Sequence, residues 1–244
     1  MNDETLLALL SDAADSVKLA LNELKDWGPA GTRPGQYRLD LAADEAAVGV
    51  LRRAGLAVLS EESGLSGGPA RLLAVLDPVD GSTNAHLGLP IYSTSICVLD
   101  DDGPRVGLVV NQATGVRYEA VRGGGARRDG LAIEPSGCKE LGEAVVGISG
   151  FPGRHPGWAQ FRALGAASLE LCAVAEGVLD GYLLVGGSTL FPWDYLAGAL
   201  ICEEVGAVLA DLDGTELFVR DGSRRRLAAA ATPELLDLLV ASGA

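Results

Sequence analysis

The sequence predicts a mixed α/β fold in which helices pack in layers against sheets. Three observations carry this. Residues 4–26 and 40–54 repeat apolar side chains at helical spacing. Residues 72–76 form a continuous apolar run, the pattern of a strand covered on both faces. Residues 94–121 then break into short apolar stretches separated by polar turns, which reads as a meander.

Taken in order, the first helix places Leu6, Leu10, Ala13, Val17, Leu21 and Leu24 near one face, with Gly28 as its stop. Residues 28–35 are rich in Gly and Pro and form a loop. The second helix leads to a short strand at 56–59, which delivers Glu61 and Glu62 at its end. Gly64 and Gly67-Gly68-Pro69 mark the loop that follows. The strand at 72–76 ends directly in Asp77. Strands at 94–99, 105–111 and 116–121 come next, turned by 100–103 and 113–115, and Gly123 to Gly125 and Asp129-Gly130 continue the pattern. Beyond Pro135 the texture changes. A strand at 144–148, a helix at 168–176, a strand near 181–185 and a helix at 193–204 behind Pro192 are expected, then a strand at 207–210 and a helix at 233–240. Residues 1–244 read as a single unit, with an N-terminal lobe of about 1–135 and a C-terminal lobe of about 136–244.

A chain of 244 residues can bury a sizeable core. No apolar run reaches the ~20 residues that span a bilayer. The start, Met1-Asn2-Asp3-Glu4, is acidic where a signal peptide is basic, so a cytoplasmic location is expected. Cys97, Cys138, Cys172 and Cys202 form no C-x-x-C pair and are expected to be free thiols. A net charge of -14 repels nucleic acid and anionic membranes, so neither is expected as a partner. An anionic substrate remains compatible, because a bound cation would dominate the local field. Arg224-Arg225-Arg226 reads as a solvated turn, His86 and His155 as surface residues, and Trp158 and Phe161 as packing residues.

Three acidic clusters fall at element junctions, where ligands collect in α/β architectures. The first is Asp77-Pro78-Val79-Asp80-Gly81-Ser82-Thr83-Asn84. Pro78 disfavours helix at Asp77, so Asp77 and Asp80 can face one cation with the Val79 carbonyl beside them. Gly81 to Asn84 can then open a helix whose free N–H groups meet an anion. Taken alone, this stretch is also compatible with an Asp-Pro turn capped by Asp80 or Ser82. Glu61-Glu62 alone reads as a solvated turn, and Trp193-Asp194 alone as a dipole-complementing helix start. Together they offer hard oxygen ligands beside a phosphate-sized turn, which points to metal-assisted phosphate ester hydrolysis.

The order Asp44, Glu61-Glu62, Asp77-Pro78-Val79-Asp80-Gly81-Ser82, then Trp193-Asp194-Tyr195-Leu196-Ala197-Gly198, resembles the inositol monophosphatase family of Mg²⁺-dependent, lithium-sensitive phosphatases. Arg122-Gly123-Gly124-Gly125-Ala126 and Arg162-x-x-Gly165-Ala166-Ala167 extend the resemblance over nearly the whole chain. It implies a layered αβαβα sandwich whose two lobes meet at the metals, and a homodimer. It implies two or three Mg²⁺ ions, with Mn²⁺ as a substitute and Li⁺ and Ca²⁺ as inhibitors. Glu61, Asp77 and the Val79 carbonyl would hold one metal, and Asp77, Asp80 and Asp194 another, with Glu61 also touching a third. Ser82 and Asp44 would polarise the attacking water. The Gly81 and Ser82 amides would hold the phosphate among Val79, Asp80 and Asp194, with Gly165, Ala166 and Ala167 on the substrate side.

The chain also departs from that pattern. Leu184 stands where the family's inositol phosphatases carry a glutamate, counted from the strand-starting Asp180, and Leu41 where a threonine is usual. The family's upstream lysine has no counterpart beyond the nearby Arg33 and Arg38. A pocket without a polar partner cannot strongly favour a polyol. The expected substrate is a small phosphomonoester, an inositol monophosphate or a sugar or polyol phosphate. Histidinol phosphate and nucleotide 3′-phosphates are the alternatives. A short chain without a large basic pocket argues against bisphosphate nucleotides and fructose bisphosphate. A non-catalytic binding or scaffold role would show as loss of a metal carboxylate or of the Ser82 hydroxyl, and neither is lost.

Overall fold

The computed structural model describes residues 1–68, 70–220 and 222–243, so Pro69 of the expected glycine-rich loop lies outside the described residues. Helix α1 (Asp3–Glu23) begins where the Asn2 side chain accepts from the Thr5 amide at 2.8 Å. It buries Leu6, Leu10, Ala13, Val17 and Leu21 as the spacing required. It stops before Gly28, because Leu24 is already extended and the Trp27 indole donates back to the Leu21 carbonyl at 3.3 Å. Helix α2 (Arg38–Arg53) leads to β1 (Ala57–Ser60). β2 (Gly64–Ser66) folds back antiparallel on β1, in a segment expected to be loop.

β3 (Leu73–Asp80) lies parallel to β1 and antiparallel to β4 (Ser93–Asp100). The strand expected to end at Leu76 runs on through Pro78 and Asp80, to be followed by the short helix α3 (Ser82–Leu87). β5 (Gly103–Asn111), β6 (Arg117–Val121), β7 (Gly125–Arg128) and β8 (Leu131–Ala132) complete the predicted meander. The eight-stranded sheet has the order β2-β1-β3-β4-β5-β6-β7-β8.

The second sheet contains β9 (Val145–Ser149), β10 (Gln160–Arg162), β11 (Gly181–Leu184), β12 (Val208–Asp211) and β13 (Leu227–Ala230), in the order β10-β9-β11-β13-β12. β10 and β13 were not expected from the sequence. Helices α4 (Ala167–Ala175), α5 (Pro192–Glu204) and α6 (Pro233–Gly243) fall where periodicity placed them.

Strand alternation sorts the side chains into layers. Ala74, Leu76, Ile96 and Val98 pack with α1 and α2. Leu73, Val75, Cys97 and Leu99 face the other way, onto α4 and α5, which also meet Tyr182 and Leu184 of the second sheet. Leu183, Val185, Ala228 and Ala230 pack on α6. The result is the expected αβαβα sandwich. Its middle helical layer closes tightly, because a Cβ on Gly198 would lie 2.7 Å from the Leu171 Cβ.

Cys97, Cys172 and Cys202 are free and buried in this middle layer, while free Cys138 is half-buried elsewhere. Trp158 is core, but Phe161 is exposed on the edge strand β10. The arginine run is not merely a solvated turn. Arg225 Nε donates to the Glu216 carbonyl at 2.6 Å, and Arg226 Nη1 meets Asp213 at 3.0 Å. Among the described residues no helix is long and apolar enough to cross a membrane.

Candidate active site

Asp77 and Asp80 are three apart, an odd spacing that places side chains on opposite faces of a regular strand. Here their partners on β4 are Ser95 and Ser93, so β3 carries an extra residue, and the bulge returns Asp80 to the side of Asp77. The irregular backbone is secured locally. Thr94 Oγ1 donates to the Pro78 carbonyl at 2.8 Å, and the Val79 amide to Asp77 Oδ1 at 3.0 Å. Gly81 has φ 88, and a Cβ there would lie 2.9 Å from the Ile91 carbonyl, so only glycine turns the chain into α3.

Two other elements bring carboxylates to this bulge. Glu61 follows β1, and its amide donates to the Leu76 carbonyl at 3.1 Å. Asp194 lies in the first turn of α5, its Oδ2 accepting from the Phe191 amide at 2.7 Å. One oxygen from each of Glu61, Asp77 and Asp194 lies within 4.8 Å of the others.

Burial first, then the neighbouring charges of Glu61, Asp80 and Asp194, hold Asp77 well above the usual carboxylate range. Burial and Glu62 push Glu61 up to about 7. Burial, Asp80 and Glu61 likewise raise Asp194. Among the described residues none of the three forms a salt bridge. Three converging hard oxygens without a counter-cation fit a divalent cation such as Mg²⁺.

Asp80 is not part of this trio. Asp80 Oδ2 accepts from the Ser168 amide at 2.7 Å and the Ser168 hydroxyl at 2.6 Å. Burial raises Asp80 to about 6 against the lowering effect of those bonds. Gly165, Ala166 and Ala167 pack behind Gly81: a Cβ at residue 81 would lie 3.2 Å from both Ala166 Cβ and the Gly165 carbonyl. Asn84 ties that loop to α3, donating to the Leu164 carbonyl at 2.7 Å. Glu170, not singled out in the sequence, is fully buried and accepts from the Leu164 amide at 3.2 Å. Burial lifts it to about 8. Nothing local in the sequence marks it beyond a carboxylate on a helix that is otherwise apolar.

The expected pairing of Ser82 with Asp44 is not what the structure holds. Asp44 is buried and accepts from the Ser60 and Ser63 hydroxyls, the latter at 3.2 Å. Asp40, one helical turn earlier on α2, is the carboxylate beside Ser82. Burial raises it to about 7, with bonds from the Tyr37 amide and the Ser82 hydroxyl opposing. Register along α2 could not be read without knowing which face meets α3.

A cleft of about 440 Å³ opens over these groups, lined by Arg33, Gln36, Asp40, Glu61, Glu62, Ser82, Phe191 and Trp193 among others. Arg33 Nη2 meets Glu62 Oε2 at 2.6 Å, and Gln36 also donates to Glu62. Leu184 is buried in the middle layer and does not reach the cleft.

The family model for the inositol monophosphatase family matches residues 36–243. A fructose-1,6-bisphosphatase/inositol-1-monophosphatase of Archaeoglobus fulgidus is 33% identical over 255 residues, 98% of this chain and 100% of that protein. A Nus factor SuhB of Pasteurella multocida is 32% identical, over 82% of this chain and 80% of that one. The solved inositol monophosphatase of Anabaena (Nostoc) superposes with a TM-score of 0.82 at 27% identity, covering 99% of this chain and 96% of that one. The match takes in the β3 bulge, α3 and the start of α5, and the chain belongs to the inositol monophosphatase family.

Proposed function

We propose that this protein is a Mg²⁺-dependent phosphatase acting on a small phosphomonoester. The observation that carries the reading is the trio Glu61, Asp77 and Asp194, three oxygens within 4.8 Å and no salt-bridged cation among the described residues, with Glu61 lining an open cleft. These three would hold the cation, with the Val79 carbonyl and Asp80 at its edge. A bound divalent cation would neutralise the phosphate dianion and acidify water. The rest falls to the protein. The Ser82 hydroxyl, beside Asp40, would donate a hydrogen bond to that carboxylate and so leave its own oxygen to accept a proton from an attacking water. Asp40, raised to about 7, is suited to take that proton near neutrality. The Gly81 and Ser82 amides would seat the phosphate at the opening of α3. Gly165 to Ala167 would act from behind by fixing Gly81, and Asp44 by fixing the turn after β1.

Inhibition by Li⁺, a homodimeric assembly and a cytoplasmic setting belong to the same reading, as does the absence of a nucleic-acid partner, which a charge of -14 supports. The test is phosphate release from inositol 1-phosphate, histidinol phosphate, a nucleotide 3′-phosphate and sugar phosphates, with Mg²⁺ and with EDTA. Release that needs Mg²⁺ is expected. Similarity to proteins named Nus factor SuhB favours one second reading, a binding role on the same fold. A folded protein that binds Mg²⁺ and releases phosphate from no ester would turn the assignment to it.

A further inference from the structure

Arg224 stands apart from its two neighbours. Arg225 lies 3.8 Å from Asp211 and Arg226 lies 3.0 Å from Asp213. Arg224 forms no salt bridge among the described residues; Nη1 donates to Thr189 Oγ1 at 3.1 Å. Its guanidinium carbon sits 3.9 Å over the Phe191 ring. Phe191 is itself stacked on Trp193, with centroids 4.6 Å apart and planes 21° from parallel. Trp193 covers one face of Phe191, so Arg224 covers the other, in a three-layer stack.

Phe191 and Trp193 line the cleft. The stack therefore forms one rim of the cleft, with a cation at its outer layer. Arg33 also lines the cleft, and Glu62 pairs with it at 2.6 Å. A guanidinium held over a ring and by one hydrogen bond has lost part of its freedom before a ligand arrives, and its remaining N–H groups can still donate.

We propose that Arg224, held on Phe191, forms a specificity subsite for a second anionic group on the leaving alcohol. The preferred substrates would then be phosphomonoesters that carry a further carboxylate or phosphate. The inference rests on the phosphatase reading of the cleft. A neutral polyol leaves Arg224 to water, whereas a second anion gains a charge-assisted bond to a group that loses little freedom in making it. It also supplies what Leu184 does not, a polar contact on the leaving-group side.

The experiment compares kcat/KM, with Mg²⁺, for glycerol 1-phosphate, 3-phosphoglycerate and fructose 1,6-bisphosphate in the wild type, R224A and R224K. The wild type should prefer one or both of the doubly anionic esters by about tenfold or more over glycerol 1-phosphate. R224A should reduce that ratio by about tenfold, mainly through KM, and R224K should recover part of it. Which ester is preferred tells carboxylate from phosphate. Arg224 is exposed, so the melting temperature of R224A should stay within about 2 °C of wild type, which excludes misfolding as the cause. A wild type without the preference overturns the inference, as does an equal loss on all three esters, which would give Arg224 to the scissile phosphate. Hydrolysis of none of them removes the phosphatase reading, and the inference falls with it.

Discussion

Asp100 and Asp211 on the one hand, and Asp77 and Asp194 on the other, are the same side chain in opposite surroundings. Asp100 receives both terminal nitrogens of Arg122, at 2.8 and 3.1 Å, and these bonds hold its carboxyl below the usual range. Asp211 is buried, which works against its charge. Bonds from Thr215 and from the Asp213 and Arg226 amides nevertheless hold it below the usual range. Asp77 and Asp194 meet other carboxylates instead, and both are held well above. The chain can satisfy a buried carboxylate with its own arginines and amides. In the cleft it does not, and the cluster is left able to hold protons or to take a compensating cation. That difference separates a structural acid from a ligand.

The comparison breaks most directly at Asp77. Asp77→Asn should lower turnover about 10³-fold or more, since on the proposed reading it removes a cation ligand. In EDTA the same variant should melt above wild type, because an amide at that site carries no buried charge. A variant that melts lower in EDTA would show that Asp77 is already satisfied without a cation. Next in size is the pair on α2. Asp40→Asn should cost about 10²-fold in turnover as the loss of a general base, and Asp44→Asn much less. The reverse order would return the partnership with Ser82 to Asp44.

The structural acids should behave differently. Asp211→Ala strands several donors and should cost about 2 kcal/mol, while the rise in melting temperature with added Mg²⁺ stays as in wild type. Loss of that rise would erase the distinction between the two kinds of acid.

The smallest effect is on pH. Glu61 and Asp80 are raised to about 7 and about 6 from 4.5 and 3.8. A raised carboxylate holds its proton in the folded state after the unfolded chain has lost it. Its stabilisation is therefore present at acidic pH and fades as pH climbs through 6 and 7. In EDTA the protein should melt roughly 3–6 °C lower at pH 8 than at pH 5.5, and Mg²⁺ should narrow the gap. A melting temperature that rises with pH in EDTA would contradict the raised values.

Much of this was legible in the sequence where the signal is local. The Asp77 to Asn84 turn, Glu61 after β1 and Asp194 after Pro192 all sit at boundaries that Pro, Gly and hydrophobic runs mark. The strands that escaped notice lack that signal. β13 begins Leu227 and continues in alanine, which favours strands poorly. β10 is an exposed edge of three residues with no apolar alternation to report it. Missing β13 also hid the surroundings of Arg224, because the segment leading into it is what bridges to Leu190 beside Phe191. The choice of Asp40 over Asp44 is a tertiary fact. Both are buried on α2, and only the approach of α3 decides which one meets Ser82.

The middle helical layer has a consequence for reactivity in time. Cys97 lies on β4, Cys172 on α4 and Cys202 on α5, and burial pushes all three thiols well above their ordinary range. None can react as a thiolate until the two sheets part around them. Cys138, half-buried outside that layer, needs no such opening. Burial raises the Cys138 thiol as well, so accessibility and not acidity sets it apart from the three enclosed ones, and the lag between them under a thiol reagent is a clock for how often the sandwich opens.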